Sequence, residues 1–372
     1  MIKSQRLGEN MVLLIRPREM SQLISMKEAI EAVEESFRQW AELPGVNAPR
    51  RRIHVPSGVR VSVHQGGVPG LAATGLMTHC EHVSIQSDGT QRYRLRGRPV
   101  HVLYSAQTGE LMAILVGEPQ PKELPLNGVT ALRTAATSAV GTKQLARPDS
   151  RRIGLLGAGT QAKYHLLALQ QIYPLTTVKV YSRNPENRSA FARTMATPGI
   201  EIEAVNSARE AVEGSDIVVA ATNSNVPVMD GAWLQPGTHI VSIVASNVGL
   251  LRGGFVSKKR QELDDETLRR ADRIVLCSRE QAQQDQQADI YDRVERGILS
   301  WNQVWELPEI FSGKAPGRTD PKQITLFKNN AGQGVCDVAL GARIYQLARE
   351  KGAGVELDMD GIEYQEEVRG QG

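Results

Sequence analysis

The chain has 372 residues, 41% of them hydrophobic and 23% charged, and its net charge is +3. This composition is typical of a globular protein and excludes a disordered or collagen-like chain, while the length favours two domains. Three scattered cysteines exclude a disulfide framework and a cysteine metal cluster, so we expect no metal and a reducing, cytoplasmic location.

Charge and hydropathy also limit the partners. The basic residues are spread along the chain apart from short arginine-rich stretches at 50–52 and 92–98, which are too little to indicate nucleic-acid binding. No apolar run approaches the length of a membrane span, and the N-terminus has no signal-peptide pattern. We therefore expect neither nucleic acid nor membrane as a partner.

The first third of the chain predicts antiparallel strands with one helix. Ser25 and Glu28 form a capping-box pattern ahead of an amphipathic helix that ends at Pro44. Valines alternate with Arg, Ser and His over 59–64, which indicates a half-buried strand. The segment 107–110 lies between two apolar runs and predicts a hairpin.

The rest of the chain predicts a different architecture. A long helix of small residues, 129–145, is followed by short apolar strands that alternate with helices. This alternation predicts a parallel, doubly wound α/β sheet. One more strand is predicted at 324–327 and a final helix at about 334–350, followed by an acidic tail that we expect to be loosely held.

A glycine-rich turn follows the apolar strand at 153–156. The pattern Gly157-x-Gly159-x-x-Ala162 is the dinucleotide-binding fingerprint with alanine in third place. The first glycine allows a tight turn, the second lets a pyrophosphate approach the backbone, and the helix start faces the phosphates. An ordinary turn is the alternative for the glycines alone. The predicted cofactor-binding residues of this turn are Gly157, Ala158, Gly159, Thr160 and Gln161.

The end of the next strand predicts the cofactor type. Ser182, Arg183 and Asn184 lie where an NAD-binding domain carries a carboxylate for the adenosine ribose, and none of the three is acidic. A hydroxyl and an arginine suit a 2′-phosphate, so we predict NADP(H) in preference to NAD(H). The alternative is that Arg183 is a solvated arginine beside a helix cap.

Several stretches together resemble the ornithine cyclodeaminase and mu-crystallin family. They are VTALRTAA at 129–136, GAGTQA at 157–162, ATNS at 221–224, the Leu-x-Pro-Gly-Thr-His pattern at 234–239, and FKNN at 327–330 followed by Asp337. The resemblance covers nearly the whole chain.

The resemblance implies two domains and a homodimer. A Rossmann domain would comprise residues 129–322, and an α+β substrate-binding and dimerisation domain would combine 1–128 with 323–372. Family members include cyclodeaminases, ketimine reductases, and amino-acid or opine-type dehydrogenases, all of which exchange a hydride at the α-carbon of an amino or imino acid.

Candidate substrate and nicotinamide residues follow from these motifs. Arg133 lies in a small, apolar helix, where a charge needs a partner; the resemblance implies a substrate carboxylate, and a salt bridge to a carboxylate of the protein is the alternative. Arg52 resembles the family's second arginine. Three arginines stand in a row here, so the choice among them is open, and a solvated surface charge is the alternative for each. The residues that the resemblance places at the cofactor are Thr134, Thr222, Asn223, Ser224 and Asn329.

Two positions depart from the cyclodeaminase pattern. Met77 stands where those enzymes carry a lysine, and His79, Glu81 or His82 are candidate substitutes. Asn247 stands where they carry an aspartate that acts as acid and base at the reacting amine. Asn247 is therefore a candidate catalytic residue that can form hydrogen bonds but cannot usefully accept a proton.

The departures decide between three hypotheses. The first is an NADP(H)-dependent oxidoreductase that acts on the C=N or CH–NH bond of an imino or amino acid, since reduction of an iminium needs less acid–base help than deamination. The second is an ornithine-type cyclodeaminase with a recycled cofactor. The third is a ligand-binding protein that has kept cofactor binding without catalysis.

Overall fold

The computed structural model describes residues 11–20, 22–85, 91–126, 130–254, 256–330 and 332–359. The predicted start of the long helix at 127–129 lies outside them, and with it the predicted domain boundary at 128. None of the described helices is long and apolar enough to cross a membrane.

The secondary structure falls into two parts along the chain. The elements up to residue 145 are β1 (Met11–Ile15), α1 (Pro17–Met20), α2 (Met26–Glu42), β2 (Arg51–His54), β3 (Val59–Val68), β4 (Ala73–Ile85), β5 (Gln91–Arg96), β6 (Val100–Ser105), β7 (Leu111–Val116) and α3 (Ala131–Leu145). The later elements are β8 (Arg152–Leu156), α4 (Thr160–Gln170), β9 (Thr177–Tyr181), α5 (Pro185–Thr194), β10 (Glu201–Ala204), α6 (Ala208–Val212), β11 (Ile217–Ala220), β12 (His239–Ser242), α7 (Val248–Arg252), α8 (Asp265–Arg270), β13 (Arg273–Leu276), α9 (Arg279–Gln284), α10 (Tyr291–Glu295), β14 (Val304–Glu306), α11 (Leu307–Phe311), β15 (Thr325–Lys328), α12 (Gly334–Lys351) and β16 (Val355–Asp358).

The first sheet contains both ends of the described chain. Its order is β16-β1-β7-β6-β4-β3-β2, with β5 paired to β4, and all pairs are antiparallel except β1 with β7. Helices α2 and α12 cover one face. The expectation of a loose tail is wrong for residues 355–358, because β16 pairs with β1 along this edge.

The second sheet is parallel throughout and confirms the predicted doubly wound fold. Its order is β10-β9-β8-β11-β12-β15-β13-β14. Strand β15 lies between β12 and β13, so this sheet continues beyond residue 322, where the sequence had placed the end of the Rossmann domain. The division into two domains stays a prediction.

Helix α3 joins the two sheets. It packs against α2 on one side and against α4 and β15 on the other. At Gly141 a side chain is excluded, since a Cβ atom there would lie 2.5 Å from the Phe327 ring. The small residues of this helix therefore allow the close packing that its composition predicts.

Strand β3 alternates as predicted, but its buried face is the polar one. Arg60, Ser62 and His64 are buried, whereas the valines between them are only half-buried. His64 contacts Asp337 of α12, and Arg60 forms an ion pair with Glu81 of β4, so this face holds a set of polar groups that are removed from water. Such groups need partners inside the protein or from a ligand.

Candidate active site

The turn between β8 and α4 has the geometry of a phosphate cradle. Gly157 has a positive φ of 116°, and a Cβ there would collide with the carbonyl oxygen of Ala221. A Cβ on Gly159 would meet nothing within 4 Å, so space is open above the backbone. Gly159 is also the N-cap of α4 and supplies no side-chain cap, and the N-terminus of such an 11-residue helix attracts an anion. Ala158, Thr160 and Gln161 complete this turn, so the residues present fit a dinucleotide pyrophosphate.

The carboxyl end of β9 carries the three residues predicted near the adenosine ribose. Asn184 caps α5 by accepting from the backbone N–H of Glu186 at 2.8 Å. Arg183 is exposed, and no hydrogen bond or ion pair of its side chain occurs within the described residues. A second arginine, Arg188, donates to the carbonyl of Ser182 at 2.9 Å and lies over the Tyr181 ring.

The segment after β11 is held by a buried carboxylate. Thr222 donates its backbone N–H and its hydroxyl to Glu262 at 2.6 and 2.8 Å. The other oxygen of Glu262 accepts from Ser242 Oγ and from the backbone N–H groups of residues 243 and 244. Glu262 therefore fixes the carboxyl ends of β11 and β12, where ligands bind in open α/β sheets.

The other two residues of this segment are less constrained. Ser224 Oγ donates to the carbonyl of Val226 at 2.7 Å, and Asn223 is exposed. Their predicted contact with the nicotinamide end of a cofactor stays a prediction.

Asn329 connects helix α3 to the parallel sheet. Its side-chain amide, at the end of β15, donates to the carbonyl of Thr134 at 2.9 Å and to Ser138 Oγ at 2.8 Å. The hydroxyl of Thr134 donates to the carbonyl of Thr130 at 2.7 Å, so it remains available only as an acceptor. These bonds place Arg133, the neighbour of Thr134, at the ligand-binding edge of the sheet.

Arg133 is buried and forms an ion pair with a carboxylate of the protein. Its Nε donates to Asp337 Oδ1 at 2.7 Å, and its Nη1 donates to Thr134 Oγ1 at 3.3 Å. The second oxygen of Asp337 lies 2.7 Å from His64 Nδ1. Arg133 and His64 together hold the pKa of Asp337 well below its usual range despite burial. The salt bridge that was the alternative for Arg133 is thus present, and its contact with a substrate carboxylate stays a prediction.

The arginines at 50–52 lie at the junction of the two sheets. Arg50 forms an ion pair with Asp285 beyond α9, and its backbone N–H donates to Gln281 Oε1 at 2.8 Å. Arg52 Nη1 lies 3.5 Å from the same carboxylate, whereas Arg51 is exposed on the other face of β2. Burial and the neighbouring Arg50 lower the pKa of Arg52 to about 9. Arg52 is the register partner of Ser62, so it lies on the face that carries the polar residues of β3.

The two departures from the cyclodeaminase pattern are both buried. Met77 of β4 lies between His64 and His101 in the strand register, on the polar face. The amide of Asn247 is engaged at both ends, since Nδ2 donates to the carbonyl of Lys258 and Oδ1 accepts from the backbone N–H of Arg260. Asn247 therefore anchors the 258–260 segment, and a role at the reacting nitrogen stays a prediction.

The three candidate substitutes for the lysine separate by strand alternation. His79 and Glu81 point to the same face as Met77, whereas His82 points to the other. Glu81 is ion-paired with Arg60. Burial lowers the pKa of His79 to about 3, so its imidazole is neutral at pH 7.

Glu118 is a carboxyl group that no sequence pattern indicated. It accepts from the backbone at the start of α3, and its Oε2 is buried without a partner among the described residues. Burial raises its pKa well above the usual range even though Arg133 opposes this. A carboxyl group that keeps its proton at pH 7 can donate one.

The sequence patterns also assigned no role to His64, Glu262, Asp285 or Asp337. Asp337 alone had a local signal, as an acidic residue in the first turn of the apolar helix α12. Among the described residues, no three His, Cys, Asp or Glu side chains gather as a metal site.

Comparisons with known proteins agree with this architecture. The model of the ornithine cyclodeaminase/mu-crystallin family matches residues 9–352. Iminosuccinate reductase of Paracoccus denitrificans is 28% identical over 94% of this chain and 100% of its own. The structure of Thermococcus litoralis Delta(1)-pyrroline-2-carboxylate reductase with NADH and L-proline superposes with a TM-score of 0.78 at 31% identity, covering 93% of this chain and 100% of that one. An archaeal alanine dehydrogenase dimer with bound NAD gives 0.77 at 27% identity, covering 94% and 99%.

Proposed function

Because the chain belongs to the ornithine cyclodeaminase/mu-crystallin family, we propose that it is an NADP(H)-dependent oxidoreductase acting on the C=N or CH–NH bond of an imino or amino acid. The observation that carries this proposal is the position of Arg133. The hydrogen bond from Asn329 to Thr134 holds this buried guanidinium at the carboxyl edge of the parallel sheet, the same edge that carries the turn that fits a dinucleotide. A cofactor and a carboxylate anchor at one edge suit a small acid as substrate.

Arg133 would bind the α-carboxylate of the substrate. Asp337 holds the guanidinium from its Nε side, and His64 holds Asp337, so the orientation of Arg133 is set before a substrate arrives. The solved pyrroline-2-carboxylate reductase contains proline, an amino acid with such a carboxylate.

The missing lysine and aspartate favour reduction over deamination. A nicotinamide cofactor supplies a hydride for an imine carbon. Burial raises the pKa of Glu118 well above its usual range, which favours its protonated form. We propose that this form supplies a proton to a neutral imine, whereas a preformed iminium needs none. With Met77 and Asn247 at the places that the resemblance gives to the lysine and the aspartate, cyclodeamination through an aspartate base is disfavoured.

The preference for NADP(H) rests on this chain's own residues, since the two solved relatives hold NADH and NAD. None of the three residues after β9, Ser182, Arg183 and Asn184, is acidic. Arg183 is exposed, and Arg188 donates to the carbonyl of the adjacent Ser182. A 2′-phosphate would add one or two charge-assisted hydrogen bonds there.

The substitution Arg183→Ala tests this preference. We expect the Michaelis constant for NADPH to rise by roughly ten- to a hundredfold, as loss of about 1.5–3 kcal/mol predicts, and that for NADH to stay unchanged. Arg193→Ala, at an exposed arginine in the last turn of the following helix α5, is the matched control. An unchanged NADPH constant in Arg183→Ala would assign the site to NAD(H).

A homodimer would form through the first sheet's other face. Ile53 and Tyr104 are 68% and 37% exposed there, and the archaeal relative is a dimer. Light scattering of the protein in solution measures the mass and so tests the dimer.

Three free thiols support the cytoplasmic prediction.

A substrate panel tests the proposed activity. NADPH oxidation is followed by absorbance with cyclic imino acids and with 2-oxo acids plus ammonium or methylamine. Turnover that is lost in Arg133→Gln is the expected result. Ammonia release from ornithine or lysine without net NADPH oxidation would identify a cyclodeaminase, and tight NADPH binding without any turnover would identify a binding protein.

A further inference from the structure

A row of polar side chains crosses three strands on the buried face of the first sheet. Arg52 of β2 is the register partner of Ser62 of β3, and Ser62 is the partner of His79 of β4. Directly opposed residues of antiparallel strands point to the same face and lie about 5 Å apart. The three side chains therefore form one continuous strip. We call these three residues and Arg60 the acceptor row, because together they would hold a hydrogen-bond acceptor.

Members of the acceptor row have buried polar atoms without partners within the described residues. These atoms are Arg52 Nε, Arg60 Nε, Ser62 Oγ and His79 Nδ1. An arginine Nε–H can only donate, and a serine hydroxyl can donate as well. Arg60 and Ser62 are more than nine-tenths buried. Several donors without partners on one strip indicate an acceptor from outside the chain, because a buried donor that forms no hydrogen bond destabilises the protein.

The described charges on this face also leave a positive excess. Among the described side chains, four arginines, Arg50, Arg52, Arg60 and Arg133, face three carboxylates, Glu81, Asp285 and Asp337. The histidines add no charge at pH 7, since burial lowers the pKa of His64 and His101 to about 4 and that of His79 to about 3. Burial raises the pKa of Glu118 well above its usual range, which favours its neutral form. An iminium monocarboxylate is neutral overall and would leave the excess, whereas an iminium dicarboxylate carries one net negative charge and would cancel it.

The acceptor row lies within reach of the carboxylate anchor. Ser62 is two residues along β3 from His64, a separation of about 6.6 Å, and His64 contacts the aspartate that pairs with Arg133. A short dicarboxylic acid spans a distance of this order. Resting on the proposed function, we propose that the acceptor row binds a carboxylate on the substrate's side chain, so that the substrates are dicarboxylic imino or amino acids.

Two 2-oxo acids of equal chain length test this substrate class. 2-Oxoglutarate and 2-oxopentanoate, each with ammonium and NADPH, differ only by the terminal carboxylate. We expect kcat/KM for the diacid to exceed that for the monoacid by about a hundredfold or more, because the monoacid leaves the donors unpaired. In Arg52→Gln this ratio should fall at least tenfold, and in the exposed Arg51→Gln it should stay as in the wild type. Ser62→Ala is a second variant in case Arg52→Gln does not fold, and it should also lower the ratio.

The outcomes separate the two proposals. Equal kcat/KM for the two acids, or a ratio that survives both substitutions, overturns the dicarboxylate inference and leaves the proposed function standing. Absence of turnover with every imine overturns the proposed function. Calorimetric titration with glutarate and pentanoate in the presence of NADP+ then decides the inference. Tighter binding of glutarate that Arg52→Gln abolishes and Arg51→Gln retains supports it, and equal binding overturns it.

Discussion

Strand β11 of the parallel sheet and strand β3 of the first sheet bury opposite kinds of side chains. The residues of β11, Ile217–Ala220, are apolar and buried on both faces. Strand β3 of the first sheet instead buries Arg60, Ser62 and His64 and leaves its valines half-exposed. The parallel sheet provides a rigid platform for a cofactor, and the first sheet provides a polar surface against it. The chemistry that distinguishes substrates is therefore expected on the first sheet.

Acid should have the largest effect on stability, and the three histidines of the buried polar face supply part of that effect. His165 and His239 supply another part, since burial lowers their pKa values to about 4 and about 3. Burial lowers the pKa of His64 and His101 to about 4 and that of His79 to about 3. The unfolded chain, with histidine pKa values near 6.5, therefore binds more protons than the native state between these limits. Their contribution to stability is full above about pH 6.5 and is lost as the pH falls toward 4, at about 1.4 kcal/mol per pH unit for each histidine.

Urea unfolding at pH 7, 6 and 5 measures this loss. We expect the free energy of unfolding to fall as the pH is lowered, with a slope that corresponds to the uptake of several protons on unfolding. The substitution His79→Asn should reduce that number by about one. A free energy that is flat between pH 7 and pH 5 would show that these imidazoles are not held neutral in the fold.

Breaking the buried ion pair at the centre of the site should cause the next largest loss in the free energy of unfolding. Asp337→Asn removes the carboxylate that pairs with Arg133 and leaves a buried charge uncompensated. We expect a loss of about 3–5 kcal/mol in the free energy of unfolding at pH 7. Asp149→Asn, at an exposed carboxylate 3.7 Å from Arg147, should change it by less than about 1 kcal/mol. Similar losses in the two variants would mean that the Asp337 cluster does not stabilise the native state.

Two buried serines give the smallest and most closely matched contrast. In the parallel sheet Ser242 Oγ donates to Glu262 and accepts from Lys328, whereas Ser62 Oγ of the first sheet has no partner among the described residues. Ser242→Ala should destabilise the protein by about 1–3 kcal/mol, and Ser62→Ala should be neutral or slightly stabilising because it removes an unmet polar group. Thermal unfolding of both variants without substrate checks this. An equal loss in both would show that Ser62 has a partner within the protein.

The predictable part of the fold came from local signals. The capping box at Ser25 and Glu28, the glycine turn at Gly157 and the N-cap at Asn184 each depend on residues within a few positions of one another, and all three are present. The alternation of strands and helices likewise predicted the parallel sheet. The position of β15 between β12 and β13 was not predictable in this way, because strand order is set by packing rather than by neighbouring residues.

The candidate site was less predictable because its contacts are long-range. His64 and Asp337 are 273 residues apart, and Arg50 and Asp285 are 235 apart. The alternation in β3 gave the period of the strand but not which face is buried, since valines usually mark the inner face. Only the fold shows that the polar residues lie inside.

Transfer of deuterium tests the central claim most directly. The protein is incubated with NADPH that carries deuterium at both C4 positions of the nicotinamide, a 2-oxo acid and ammonium, and the amino-acid product is analysed by mass spectrometry. The proposed function predicts one deuterium at the α-carbon and one NADP+ formed for each product molecule. Ammonia release from an amino acid with no net NADP+ formation, and no deuterium in any product of the 2-oxo acid, would contradict it.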